Sequence, residues 1–170
     1  MRRVHLVTAR RTGGRFAPEG VGLYRSKDGG GRWEPANASQ PLLWPKDFTV
    51  DPRDSRIVYI GAADAGGGRQ EGGLYRTTDG GATWKRLARE GPQHFGAYLH
   101  PKRSGWIYMT LCEDAPGAGL WLSQDNGKTF APAKDLPFHN IMRVTFDPQD
   151  AGVIYVSTFG GSVWRGPAEW

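Results

Sequence analysis

Three aspartates sit in glycine-rich segments: Asp28 in GLYRSKDGGGRW (Gly22 to Trp33), Asp79 in GLYRTTDGGATW (Gly73 to Trp84) and Asp125 in GLWLSQDNGKTF (Gly119 to Phe130). A carboxylate beside consecutive glycines suits two kinds of chemistry. One is a phosphate-cradling loop, the other a calcium loop of oxygen ligands. Neither pattern is complete. A phosphate loop joins a strand to a helix and is followed by Lys and Ser/Thr; here a second extended segment follows. A calcium loop needs oxygen side chains at alternating positions, and each segment holds one acid.

The residues fit a turn better. Gly29, Gly80 and Asn126 stand where a tight turn needs positive φ, which Gly and Asn tolerate. Each aspartate can accept backbone N–H groups of its own turn. Gly30, Gly81 and Gly127 complete the reversal, and Trp33, Trp84 and Phe130 follow three residues later, placed to fold back and seal the space between sheets. The expected unit is a hairpin clamp.

These clamps recur, with the aspartates 51 and 46 residues apart. A second motif shares the period: VDPRDSRIVYIG (from Val50), LHPKRSGWIYMT (from Leu99) and FDPQDAGVIYVS (from Phe146) carry Pro52, Pro101 and Pro148 at steps of 49 and 47. A repeat of about fifty residues marks stacked units that cannot bury both faces alone. Alternating, β-branched stretches bounded by Pro, Gly and Asp turns give four strands per unit, as in DFTVD, RIVYIGA, GLYRTT and TWKRLA. Four short strands per repeat is a propeller blade.

The predicted fold is therefore all-β, a partial propeller of about three and a half four-stranded blades. They span residues 3–40 (partial), 47–90, 95–136 and 142–166 (partial). Before the first clamp only VHLVTA reads as a strand, so the units hold three, four, four and three strands. Closed propellers need at least four blades. The expectation is that the chain is the C-terminal part of a larger propeller whose N-terminal half is missing, or that two copies close one ring as a homodimer.

Composition bounds the rest. The chain has 170 residues, 38% hydrophobic and 12% aromatic, enough for one core. Its charge of +5 is scattered with no basic run longer than two, which argues against nucleic acid as a partner. Cys112 stands alone, so no internal disulfide framework exists. No apolar run approaches the ~18 residues of a membrane span, and the first residues do not read as a signal peptide. His5, His94, His100 and His139 are not at ligand spacing, so neither a metal nor another cofactor is expected.

The clamp segments resemble the Asp-box, or BNR, repeat (S/T-x-D-x-G-x-T-W), most closely TTDGGATW; SQDNGKTF is similar, and SKDGGGRW has Arg32 where Thr is usual. The resemblance covers essentially the whole chain. It implies propeller blades with a structural box between the third and fourth strands. Relatives of this kind include sialidases, xyloglucan-degrading endoglucanases and sortilin-type ectodomains, and the DPRDSRIVYIG cadence is similar to the xyloglucanase-like and sortilin-like group. Such families are often extracytoplasmic; the chain itself gives no compartment.

For chemistry, resemblance to sialidases would require an arginine triad and an Arg-Ile-Pro segment, which is absent; Arg25, Arg76 and Arg165 recur at one blade position and suggest structural pairing. Resemblance to xyloglucanases would place a catalytic aspartate on D-x-G-G, and AADAGGG makes Asp64 the one candidate, although RQEG intervenes before GLYR. The connections around residues 64–72 and 113–119 vary in length, as ligand-binding loops do, and offer Glu71, Glu113 and Asp114 to a polar ligand. Trp44 could stack on a sugar; Trp106 is expected to pack. The reading is a binding or scaffold module for glycan or protein, the alternative a C-terminal fragment of a glycoside hydrolase.

Overall fold

The computed structural model describes residues 4–8, 11–12, 15–16, 22–36, 44–64, 72–88, 93–112, 117–134 and 136–170, the first three segments as backbone only. In chain order the strands are β1 (Val4–Thr8), β2 (Arg11–Thr12), β3 (Arg15–Phe16), β4 (Gly22–Ser26), β5 (Trp33–Pro35), β6 (Pro45–Val50), β7 (Val58–Ala62) and β8 (Gly73–Thr77). They continue as β9 (Lys85–Ala88), β10 (His94–Leu99), β11 (Ile107–Leu111), β12 (Gly119–Ser123), β13 (Ala131–Pro132), β14 (Ile141–Phe146), β15 (Val153–Thr158) and β16 (Val163–Pro167). Among the described residues these form four larger antiparallel sheets, β1-β4-β5, β6-β7-β8-β9, β10-β11-β12-β13 and β14-β15-β16, and the two-stranded β2-β3.

The sequence reading gave no strand between β1 and β4, where the structure places the small hairpin β2-β3, Arg11 opposite Phe16. Its signal was the Gly13-Gly14 pair between two short flanks, a two-residue hairpin connection. The pair lies outside the repeat that marks the other strands.

The sheets stack face to face, and alternation along each strand divides its side chains between two neighbours. On β7, Val58 and Ile60 join Leu23 and Ala36 of the first sheet, while Tyr59 joins Ala97 and Ile107 of the third. Every residue of β7 and of β11 is consequently buried. The third interface gathers Tyr108, Leu120, Ile141, Val144, Ile154 and Val156.

Close approach of the sheets is set by their first strands: β10 packs on β6 and β7 of one neighbour and on β14 of the other. Each of these first strands carries a bulge at the same rung, at Pro45/Asp47, His94/Gly96 and Ile141/Arg143. A bulge adds one unpaired residue and re-aims the side chains beside it.

Candidate functional site

The three box aspartates are each held inside their own turn. In all three, a hydroxyl at the end of the third strand (Ser26, Thr77, Ser123) donates to the aspartate Oδ1 at 2.7–2.8 Å. The same hydroxyl accepts the N–H of Gly30, Gly81 or Gly127 at 2.7–2.9 Å. The aspartate in turn accepts the backbone N–H of Arg32, Thr83 or Thr129, each at 2.9 Å. Thr83 and Thr129 add hydroxyl bonds at 2.6 and 2.7 Å, for which Arg32 has no equivalent group. Positive φ falls on Gly29, Gly80 and Asn126 (83°, 73° and 62°), the last a non-glycine left-handed residue of the kind asparagine tolerates.

These bonds to the ionised form hold the carboxylates low. The Thr129 N–H, with its hydroxyl and that of Ser123, takes Asp125 to about 2; the Thr83 hydroxyl and N–H take Asp79 further below the usual carboxylate range; the Arg32 N–H and the Ser26 hydroxyl lower Asp28. Since the folded pKa lies below the unfolded value of 3.8, the stabilisation is complete above that value and is lost as pH falls through the folded one. Thermal melts between about pH 4 and about pH 2 should therefore fall more steeply for the native chain than for Asp125→Asn. Parallel curves would contradict this role.

The recurring arginines also belong to the scaffold. Arg25 donates to the carbonyl of Gly80, and Arg76 to that of Asn126 at 3.4 Å, each reaching the box turn of the next sheet. Arg25 is also paired with Glu34 at 2.5 Å. Arg165 holds the corresponding place on β16 and is exposed.

Antiparallel pairing puts the second-to-third connections and the joins between sheets at one end. There Ala63 donates to the Trp44 carbonyl at 3.0 Å, Cys112 to that of Gln93 at 3.1 Å and Phe159 to that of Asn140 at 2.9 Å. Asp64 lies at this end, its Oδ1 accepting the Gly72 N–H at 2.7 Å. Lys46 stands 3.8 Å from the centre of the Trp44 ring. Trp106 packs edge-on to His100 at 5.7 Å. Glu71, Glu113 and Asp114 lie outside the described residues.

Just inside this end the bulged strands bring together a set the sequence did not single out. Asp47 of β6 accepts from the Tyr98 hydroxyl of β10 at 2.9 Å and from Arg143 of β14 at 2.7 Å. Tyr98 also lies 2.9 Å from the Met142 carbonyl. Gly96 leaves the room for this crossing, since a Cβ there would lie 2.8 Å from the Tyr98 hydroxyl. Burial, then the Asp47 charge, pushes the Tyr98 phenol above its ordinary range, so it stays a donor. Arg143 is half-exposed, leaving a cationic edge toward solvent. Among the described residues no cluster of three or more His, Cys, Asp or Glu is placed to hold a metal ion. No described helix is long and apolar enough to cross a membrane.

The family described as BNR/Asp-box repeat matches residues 75–86. Sortilin of Danio rerio is 30% identical over 98 residues, which is 54% of this chain and only 12% of sortilin's length. A GH74 enzyme of Niastella koreensis superposes with TM-score 0.71 at 19% identity, over 95% of this chain and 27% of that one. An ancestral GH74 enzyme gives 0.56 at 22% identity, over 70% and 14%. A GH74 xyloglucanase from Xanthomonas campestris gives 0.50 at 16%, over 86% and 33%. At such identities the likeness speaks for the fold. The repeat, its box turns and the stacked sheets make the chain similar to BNR/Asp-box repeat propellers.

Proposed function

We propose that this chain is a propeller module that binds or scaffolds a protein or a glycan at its loop-bearing end, without a self-contained catalytic site. The observation that carries the reading is the use of its acids. The three box aspartates are consumed in their own turns, Asp64 is bonded to the Gly72 N–H, and Asp47 is held by Tyr98 and Arg143. What faces a ligand is a polar surface beside Trp44 and Arg143, suited to recognition by hydrogen bonds and stacking.

A second reading is favoured by the likeness to GH74 enzymes: the chain would be the C-terminal part of a glycoside hydrolase, with Asp64 one of the two carboxylates such a reaction needs. A glycan-array screen read for both retention and hydrolysis separates the two. Retention without new reducing ends is expected. Turnover that Asp64→Asn abolishes, with the melting temperature unchanged, would overturn the binding reading.

A further inference from the structure

The proline-led turns of the second, third and fourth sheets are each closed by a side-chain acceptor at the position just before the proline. In the second sheet it is Asp51, whose Oδ1 accepts the Arg53 N–H at 2.9 Å. In the fourth it is Asp147, whose Oδ1 accepts the Gln149 and Asp150 N–H groups at 2.9 and 3.1 Å. The third sheet has His100 there, and its Nδ1 accepts the Lys102 and Arg103 N–H groups at 3.1 and 3.0 Å. Only a neutral imidazole can do this, since a protonated one donates from both nitrogens.

His100 also joins two sheets. It is 4% exposed, and its ring lies 5.7 Å from that of Trp106 and 6.4 Å from that of Tyr108 in the third sheet, and 5.2 Å from that of Phe146 on β14 in the fourth. The Ala151 backbone of the β14–β15 turn faces it as well. Among the described residues, the charges turned toward the imidazole are Arg103 and Lys102 from its own turn and Glu169 from the segment after β16. Arg103 is held close, stacked 4.2 Å from the Trp106 ring centre and bonded to Glu169 at 2.6 Å. Burial pushes the neighbouring Tyr108 phenol up, so it stays uncharged. Asp147 and Asp150 of the facing turn accept backbone N–H groups of that turn.

We propose that His100 is an acid-sensitive latch: a proton taken up at Nδ1 displaces the Lys102 and Arg103 N–H groups, and the β10–β11 turn then loosens from the fourth sheet. The turns at Asp51 and Asp147 stay closed, because hydrogen bonds hold both carboxylates below their ordinary range and they remain acceptors where a histidine titrates. Burial, then Arg103, holds the imidazole below its ordinary value of 6.5; the Ala151 backbone and Glu169 act the other way. The latch is therefore fully closed above that value and opens as pH falls through the folded one.

The test is NMR of the full chain between about pH 7.5 and about pH 5, the span in which a histidine changes charge. At the upper end the imidazole nitrogen shifts of His100 should report an unprotonated Nδ1. Amide protection of Lys102 and Arg103 should fall about fivefold or more as His100 titrates, equivalent to about one lost hydrogen bond, while that of Arg53 and Gln149 holds. Methyl resonances of Ile154 and Val156, in the core between the third and fourth sheets, should move with the same midpoint. His100→Asn supplies an oxygen acceptor that does not titrate, and His100→Asp supplies the acceptor of the other two turns. Whichever of them folds should show flat protection and unmoved methyls over the same span. A midpoint at or above the ordinary value, a proton on Nδ1 at the upper end, equal loss at all three turns, still methyls in the native chain, or losses that persist in the variants would each overturn the proposal.

Discussion

Truncating Trp84 to alanine is expected to cost about 3–5 kcal/mol, the range for a large aromatic removed from a packed interior. The ring is 7% exposed and wedges between the first two sheets, and its N–H satisfies the Ala36 carbonyl. Trp84→Phe should keep most of the packing and lose the hydrogen bond, costing about 1–3 kcal/mol for the stranded carbonyl. Trp33 occupies the same place in its box but is 38% exposed, and Trp33→Ala should stay within about 1 kcal/mol. Chemical denaturation of the three variants checks the ordering. Equal losses at Trp33 and Trp84 would show that the box aromatic acts within its own hairpin and does not join sheets.

A comparable loss is expected from the smallest substitution, Gly61→Ala. A Cβ on Gly61 would lie 2.5 Å from the Phe95 carbonyl carbon and 2.8 Å from the Gly96 nitrogen, all backbone of the neighbouring sheet. Backbone in a paired strand cannot swing aside as a side-chain tip can. Relief requires β7 and β10 to part, and the cost should reach the upper end of overpacking, about 3 kcal/mol, or roughly 6–12 °C in melting temperature. The contrast is Gly29→Ala, where nothing lies within 4 Å and only the positive φ of 83° is strained; about 1 kcal/mol is expected there. If the two variants melt alike, strand approach at Gly61 does not limit sheet packing.

Much of this architecture was legible because it repeats. Three box segments and three proline-led segments at one period gave the strands, the turns and the stacking, and the box aspartates read as turn acids because each segment holds a single acid beside residues that tolerate positive φ. The pairing of Arg25 and Arg76 could be anticipated from their shared blade position, but not their acceptors, since a backbone carbonyl leaves no mark on sequence.

The set formed by Asp47, Tyr98 and Arg143 was illegible for a different reason. Its members come from three repeats but are not the same residue type, and Tyr98 is not at the same rung as the other two, so aligning the repeats hides them. Only the bulges, which carry no residue signature here, turn these side chains toward one another. The hairpin β2-β3 escaped because it interrupts the repeat that guided the reading.

The bulge shared by β6, β10 and β14 separates what a repeat must keep from what it may change. Immediately after it stand Asp47, Gly96 and Arg143, opposite Gly61, Thr110 and Ser157. An acid, a residue without a side chain and a base thus occupy one structural address in three copies of one blade. Duplication of such a unit multiplies a stable scaffold and at the same time issues an independent choice of charge per copy on its first strand, so the polar character of that position can be rewritten one sheet at a time while the cores between the sheets stay as they are.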